Sequence, residues 1–224
     1  MNGVLERAQW WVQDYAYAAS RQVLGLASGV KPETFHSGNE RPVLVIPGIY
    51  ENWHFMLPLI TAVHQAGHPV HVVTVLQWNR KSVPEGARLV ADHLASQDLR
   101  DVVLLAHSKG GLIGKFAMMG MNGDKRIDRM IAVCSPFSGS RYARFMLAPS
   151  LRAFSPLNAI TVQMAREQNV NQHISSVFGT FDPHIPEGSV LPGARNIKLD
   201  VAGHFRILGH EDTVRTILKE IKLP

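Results

Sequence analysis

Short, uninterrupted runs of mainly apolar residues recur along the chain, and they constrain its fold more than any other feature. The runs lie at residues 42–47, 70–75, 101–106, 130–134, 174–178 and 196–201. Apolar runs of this length, without polar alternation, are typical of strands that are buried on both faces of a sheet. They therefore predict the strands of a central sheet.

Segments with helical periodicity separate most of these runs. Their apolar residues recur three or four positions apart over residues 58–65, 85–96, 109–119 and 211–221. Parallel neighbouring strands need a crossover connection, which is usually a helix, and this connection is almost always right-handed. The order of elements therefore predicts an α/β fold in a single domain of residues 1–224, with about six mostly parallel strands flanked by helices.

A long helix is predicted over residues 4–26, within an amphipathic N-terminal segment of residues 1–30. Its apolar side chains recur at helical spacing. Two interpretations are open. The helix covers the sheet or an exposed edge, or its tryptophans and tyrosines help it to lie over a substrate pocket or to make peripheral contact with a membrane.

Charge and cysteine content limit the class of protein. The formal net charge is +5, but lysines and arginines are spread without a dense basic run, so no nucleic-acid partner is expected. Cys134 is the only cysteine, so no intramolecular disulfide can form. The N-terminus lacks the pattern of a signal peptide and no window is apolar enough for a spanning helix, so a cytoplasmic location is expected.

Ser108 stands at a turn between a predicted buried strand and a predicted helix. Small residues, Ala106 and Gly110, lie two positions before and after it, which lets strand and helix approach closely while the hydroxyl is exposed. The alternative is that Ser108 only caps the helix that follows. The strand before it, the pair Gly110 and Gly111 after it, and suitable downstream partners favour a nucleophile.

A serine hydroxyl needs an imidazole to accept its proton and a carboxylate to orient that imidazole. His204 follows the last predicted strand, and Asp182 follows the penultimate predicted strand. The three residues therefore occur along the chain in the order Ser, Asp, His. His210 is a rival base near the start of the terminal helix, and Asp200 is a weaker candidate acid. Asp182 can also be explained as part of an Asp-Pro turn.

Three motifs carry a resemblance to a known family. They are Ala-His-Ser108-Lys-Gly-Gly, Pro47-Gly48-Ile-Tyr and Gly203-His204. Together they resemble the α/β-hydrolase superfamily, in particular its small bacterial lipases and esterases, over most of residues 42–221. The resemblance implies an oxyanion hole formed by the backbone amides of Ile49 and Lys109, which would stabilise the negative charge that develops during ester attack.

Residues 137–172 lack strand character and are predicted to form a helical cap or lid over the site. Phe137, Phe145 and Met146 in this segment, with Tyr50 and Trp53 from the loop after the first strand, predict a pocket for an acyl or other lipophilic group. The alternative is that these side chains only pack the helices between two strands.

Neither a metal nor another cofactor is expected. Gly67 and Pro69 break the helix that would align His64, His68 and His71, and the chain has no H-E-x-x-H motif. The sequence therefore predicts a serine hydrolase that cleaves a small-molecule carboxylic ester. The alternatives are a thioesterase, lactonase or perhydrolase with the same three residues, and a catalytically silent module that binds lipid or protein.

Overall fold

A parallel sheet of six strands runs through the described part of the chain, residues 2–145 and 154–223 of this computed structural model. The strands are β1 (Val43–Ile46), β2 (Val70–Val72), β3 (Val102–His107), β4 (Ile127–Val133), β5 (Ile174–Phe178) and β6 (Arg195–Lys198). Their order across the sheet is β2-β1-β3-β4-β5-β6. The parallel pairing of every neighbour confirms the predicted architecture.

Six helices accompany this sheet in the described residues. They are α1 (Asn2–Ala27), α2 (Leu57–Gln65), α3 (Val83–Ser96), α4 (Lys109–Gly120), α5 (Ala159–Arg166) and α6 (Glu211–Ile221). Alternate residues of β3 point to opposite sides, so that Leu105 enters one core layer and Leu104 the other. Helices α2 and α6 cover the first layer, and α3 and α4 cover the second.

Three strand boundaries differ from the prediction. β2 ends at Val72 because the chain then enters a 3-10 helix at Thr74–Leu76. β4 begins at Ile127, earlier than predicted, because charged residues near its start conceal the strand pattern. β6 is an exposed edge strand that ends at Lys198, so its sequence lacks the signal of a fully buried strand.

Helix α1 lies along the carboxyl edge of the sheet and does not cover either face of it. It contacts the loops that follow β1 and β6. Gly25 is buried where a side chain would meet His54 at 3.1 Å, and Asp14 is buried against the loop after β6. Among the described residues, no helix has the length and apolar character that crossing a bilayer requires.

The predicted cap segment is described only in part. A short 3-10 helix spans Arg141–Phe145, and α5 packs on α4, where the buried ammonium of Lys115 donates to the carbonyl oxygen of Met164 at 2.8 Å. Met146 and the side chain of Phe145 lie outside the described residues. The described part of the segment thus combines a loop near the carboxyl edge with a helix packed beside the sheet.

Candidate active site

Ser108 occupies a strained turn at the carboxyl end of the central strand β3. Its backbone angles are φ 49° and ψ −117°, a conformation that costs a non-glycine residue free energy. The Ser108 amide donates to the carbonyl of Val133 at 2.9 Å, which fixes the turn. The Ser108 hydroxyl makes no capping bond to α4, so it is left for other partners.

Close packing of α4 against β1 sets the position of this turn. A Cβ atom at Gly110 would lie 2.2 Å from the carbonyl oxygen of Ile46. Only a residue without a side chain lets the first turn of α4 approach the neighbouring strand this closely. The glycine therefore determines where the first residues of α4, and with them Ser108, are held.

The structure brings Ser108, His204 and Asp182 together in a hydrogen-bonded series. Ser108 Oγ lies 3.0 Å from His204 Nε2, and His204 Nδ1 lies 2.7 Å from Asp182 Oδ2. The other Asp182 oxygen, Oδ1, accepts from the amides of His184 at 2.8 Å and Ile185 at 3.0 Å. The aspartate is thus fixed by its own loop, and it fixes the imidazole that faces the serine.

Burial makes the charges of this series depend on each other. Burial raises the pKa of Asp182, but the His204 imidazole and the amide of His184 outweigh it and lower that pKa to about 2. Burial lowers the pKa of His204, but the carboxylate of Asp182 outweighs it, with further contributions from Asp14 and Glu51, and the net shift is upward. Asp182 therefore stays ionised and strengthens the basicity of His204.

The rival candidates lie elsewhere. His210 is the N-cap of α6, where its Nδ1 accepts from the Asp212 amide at 3.3 Å. Asp200 is an exposed residue in the loop after β6. The structure therefore places neither of them in the series.

Asp14, on the N-terminal helix, is a site residue that the sequence analysis missed. Its side chain is fully buried, and it accepts from three successive backbone amides, those of His204 at 3.0 Å, Phe205 at 2.8 Å and Arg206 at 2.9 Å. Such charge-assisted bonds are stronger than those between neutral groups. Asp14 therefore holds the loop that presents His204, across 190 positions of sequence. No local pattern marks it, because Arg7 and Arg21 lie seven positions before and after it on the same face of the helix.

A second buried carboxylate, Glu51, joins three loops of the site. Glu51 Oε2 accepts from the Gly48 amide at 2.7 Å and lies 2.9 Å from His107 Nδ1. His107 Nε2 lies 3.0 Å from the carbonyl oxygen of His204, which can only accept, so Nε2 carries a proton. One further proton must then lie between His107 Nδ1 and Glu51. The network ties the loop after β1 to the end of β3 and to the His204 loop.

Gly48 is needed here for space. A Cβ atom at Gly48 would lie 2.9 Å from the carboxyl group of Glu51. The reason is steric and not conformational, because φ at Gly48 is not in the left-handed region.

The backbone amides of Ile49 and Lys109 are the two predicted to form an oxyanion hole. Lys109 is the first residue of α4, whose first amides have no acceptor within the helix, and Ile49 follows Gly48 in the loop after β1. The Lys109 side chain turns away and donates to the carbonyl oxygens of Asn79, at 2.8 Å, and Lys81. Burial lowers the pKa of this ammonium to about 8. The side chain thus anchors the neighbouring loop.

A cavity of about 1370 Å³ opens above Ser108 and His204. Its lining is mainly apolar and includes Trp11, Tyr15, Tyr50, Phe55, Phe154 and Phe205. Helix α1 therefore forms one wall, in agreement with the interpretation that it lies over a pocket. Trp53 packs against Phe35 instead, and Phe137 belongs to the core layer beside α4, so neither lines the cavity. Phe137 lies in a turn in which the Gly139 amide donates to the Pro136 carbonyl oxygen at 2.9 Å, and its side chain is buried.

Cys134 is buried beside the Asp182 carboxylate. A sulfur, an oxygen and a nitrogen of Cys134, Asp182 and His204 lie within 4.8 Å of one another, a spacing compatible with metal ligands. Burial, and then the charge of Asp182, raise the pKa of the thiol well above its ordinary value. Because a protonated thiol is a poor ligand and the other two groups already bond to each other, this donor set does not fit a resident metal.

Comparisons with known proteins relate the fold to solved structures. No protein-family model and no curated protein matches the sequence. The mature form of the Bacillus licheniformis lipase BlEst2 superposes with a TM-score of 0.68 at 14% identity, covering 84% of this chain and 93% of that one. The monoacylglycerol lipase of Paleococcus ferrophilus has a TM-score of 0.61 at 15% identity, covering 84% and 96%. A hydrolase from Oleispira antarctica has a TM-score of 0.57 at 13% identity, covering 87% and 98%.

Proposed function

We propose that this chain, which has the α/β-hydrolase fold, is a serine hydrolase that cleaves carboxylic esters with a lipophilic acyl group. The observation that carries the proposal is the hydrogen-bonded series from Ser108 through His204 to Asp182, placed at the floor of a mainly apolar cavity. Structures of the same fold that carry the names lipase and hydrolase support the reaction class.

The reaction begins when Ser108 Oγ attacks the ester carbonyl carbon while His204 Nε2 accepts the hydroxyl proton. The carbonyl oxygen becomes negative, and the amides of Ile49 and Lys109 donate to it without rearranging. When the tetrahedral intermediate collapses, the alcohol leaves with the proton that His204 held. The product of this half-reaction is an acyl group bonded to Ser108.

Water completes the cycle. His204, neutral again, accepts a proton from a water molecule that attacks the acyl carbonyl, and a second oxyanion forms in the same place. Its collapse releases the carboxylic acid, and His204 returns the proton to Ser108. Asp182 keeps the imidazole in the tautomer that presents Nε2 to the serine throughout both steps.

A chain-length series tests the proposal. The wild type is assayed on p-nitrophenyl esters from acetate to palmitate, beside Ser108→Ala and Ser189→Ala. Ser189 lines the same cavity but has no imidazole partner, so it is the matched control. We expect turnover by the wild type and Ser189→Ala, an optimum at medium or long chains, and a loss of about 10³-fold or more in Ser108→Ala.

Matched substrates separate the alternatives. Thioesters and lactones with the preferred acyl chain are compared with the ester, because the same three residues can serve all three bonds. Faster turnover of one of them would reassign the bond that is cleaved. A wild type that turns over none of these substrates would overturn the proposal in favour of a binding module.

A further inference from the structure

Seven apolar residues form a stripe along the outer face of α1. They are Leu5, Ala8, Val12, Ala16, Ala19, Val23 and Leu26. At 3.6 residues per turn this spacing places all of them on one side of the helix. Leu5, Val12, Val23 and Leu26 are 71, 71, 65 and 69% exposed.

The rest of the protein contacts the opposite face of α1. That face carries the buried residues Asp14 and Gly25. The four charged residues of the helix, Glu6, Arg7, Asp14 and Arg21, all lie outside the stripe. A continuous, uncharged row of exposed aliphatic side chains is characteristic of a surface that a partner covers.

The stripe is complementary to itself when the helix direction is reversed. About a midpoint between Tyr15 and Ala16, Leu5 is matched with Leu26, Ala8 with Val23, and Val12 with Ala19. Each valine thus faces an alanine, as interdigitation of two helices requires, and the small central residues allow close approach. A two-fold interface needs this property, because each residue contacts its counterpart in both directions. A lipid surface imposes no such symmetry.

We propose that the stripe is the interface of a homodimer, in which α1 helices of two copies pack antiparallel about a two-fold axis near Tyr15 and Ala16. The contact extends over about 32 Å of helix. A single helix pair lies at the low end of the areas that stable dimers bury, so the dimer should dissociate on dilution, on the order of micromolar concentration. The proposal does not depend on the proposed hydrolase activity.

Disulfide trapping tests the orientation of the helices. In Ala16→Cys the two new thiols lie beside the axis and should form a dimer on oxidation. In Leu5→Cys they lie about 32 Å apart in an antiparallel pair and should not. The double variant Ala8→Cys/Val23→Cys should also form a dimer, whereas neither of its single variants should. Cys134 is buried and leaves this assay undisturbed.

Molar mass in solution tests the dimer itself. We expect light scattering at about 200 µM to give twice the monomer mass of 24.8 kDa. Ala16→Glu should halve that mass, because two carboxylates would meet near the axis. Leu24→Glu, at an exposed position of α1 outside the stripe, should leave the dimer intact.

Three results would overturn the proposal. One is a wild type that remains monomeric at this concentration. Another is trapping of Leu5→Cys as efficiently as Ala16→Cys, which would indicate a parallel pair. The third is a monomeric wild type that floats with phosphatidylglycerol vesicles while Val12→Glu does not, which would assign the stripe to a lipid surface. All three glutamate substitutions are at exposed positions, and circular dichroism checks that each variant is folded.

Discussion

At the scale of single residues, the site depends on two buried carboxylates that never touch the reacting serine. Asp14 holds the His204 loop from α1, and Glu51 holds the Gly48 loop against His107. Both act as positioning residues, because each bonds to the backbone or to another side chain of the site. A buried acceptor that is lost leaves its donors unsatisfied, which costs about 1–3 kcal/mol for each donor.

Asp14→Asn should impair catalysis through His204. The amide NH₂ group of asparagine can replace only one oxygen, so at least one of the three backbone amides would face another donor. The charge of Asp14 also adds to the upward shift in the pKa of His204, which Asp182 dominates. Because His204 must be neutral to accept the serine proton, the acid limb of the pH profile of kcat/KM should move to lower pH.

The measurement is kcat, KM and this pH profile for Asp14→Asn, with Glu6→Gln as the control from the exposed surface of α1. We expect kcat to fall about 10-fold or more with little change in KM. A residue with only a structural role would lower the amount of folded enzyme and leave the acid limb in place, and that outcome would contradict the assignment.

Glu51→Gln should weaken the network around His107. In the wild type, one Glu51 oxygen accepts from the Gly48 amide and shares a proton with His107 Nδ1. A glutamine presents either an oxygen or an NH₂ group at this position, so it cannot bond to both the amide and the imidazole. We expect a loss of about 1–3 kcal/mol in the free energy of unfolding, measured with urea. Unchanged stability together with unchanged kcat would show that the network contributes neither to the stability of the fold nor to catalysis.

These two residues also mark what the sequence could not predict. Ser108, Asp182 and His204 follow strand ends in a recognisable order, so local pattern was enough to select them, and the structure brings them together. Asp14 bonds to a loop 190 positions away, and no local pattern encodes that contact. Trp53 and Phe137, which were predicted for the pocket, pack with the core layers, because an apolar side chain near a loop serves a core as readily as a cavity.

At the scale of elements, the close approach of α4 to the sheet positions the nucleophile. Gly110→Ala would bring a Cβ atom to 2.2 Å from a backbone carbonyl, which no side-chain movement relieves. We expect α4 to shift, with a loss of about 1–3 kcal/mol or more in stability and a larger relative loss of activity.

Gly120→Ala provides the matched control at the other end of the same helix. Nothing lies within 4 Å of a Cβ atom there, so alanine should leave stability unchanged or raise it by up to about 1 kcal/mol. Thermal unfolding and p-nitrophenyl ester turnover are measured on both variants. Equal effects of the two substitutions would contradict the account of α4 packing.

The boundaries of a strand were predictable from the sequence where the strand is completely buried, but not where it is partly exposed. The fully buried β1 and β3 lie where their apolar runs predict them. The edge strands β2 and β6 are shorter than predicted, because half of an edge strand's environment is solvent and its pattern is weaker. The alternation of strands and helices along the chain nevertheless predicted the parallel sheet, because helical crossovers connect parallel strands.

At the scale of the whole molecule, partly buried histidines make stability depend on pH. Burial, with the nearby His36 and His93, lowers the pKa of His71 to about 4. Burial, with the charge of His204, lowers the pKa of His184 to about 3. Below pH 6.5 the unfolded chain binds protons at these positions and the folded chain does not, so stability falls as pH decreases towards 4.

Asp182 and His204 modify this profile in opposite directions. The lowered pKa of Asp182 adds a further loss of stability between about pH 4 and 2. The raised pKa of His204 contributes stability that is present below pH 6.5 and lost as pH rises through its folded value. Two histidines with lowered pKa values oppose one with a raised value, so we expect a net decrease in stability on acidification.

Urea unfolding at pH 7.5 and pH 4.5 measures the effect. We expect a lower free energy of unfolding at pH 4.5, and a smaller difference between the two pH values in His71→Gln. His173→Gln, at an exposed position, should behave as the wild type does. A wild type that is equally stable at both pH values would contradict the assignment of neutral, buried histidines.

The central claim is that Ser108 is a nucleophile activated by His204, and covalent labelling tests it most directly. The protein is treated with a fluorophosphonate, and the adduct is located by mass spectrometry of the intact chain and its peptides. We expect one adduct, on Ser108, that is absent in Ser108→Ala and forms much more slowly in His204→Gln. An unlabelled wild type, or an adduct on another residue that persists in Ser108→Ala, would contradict it.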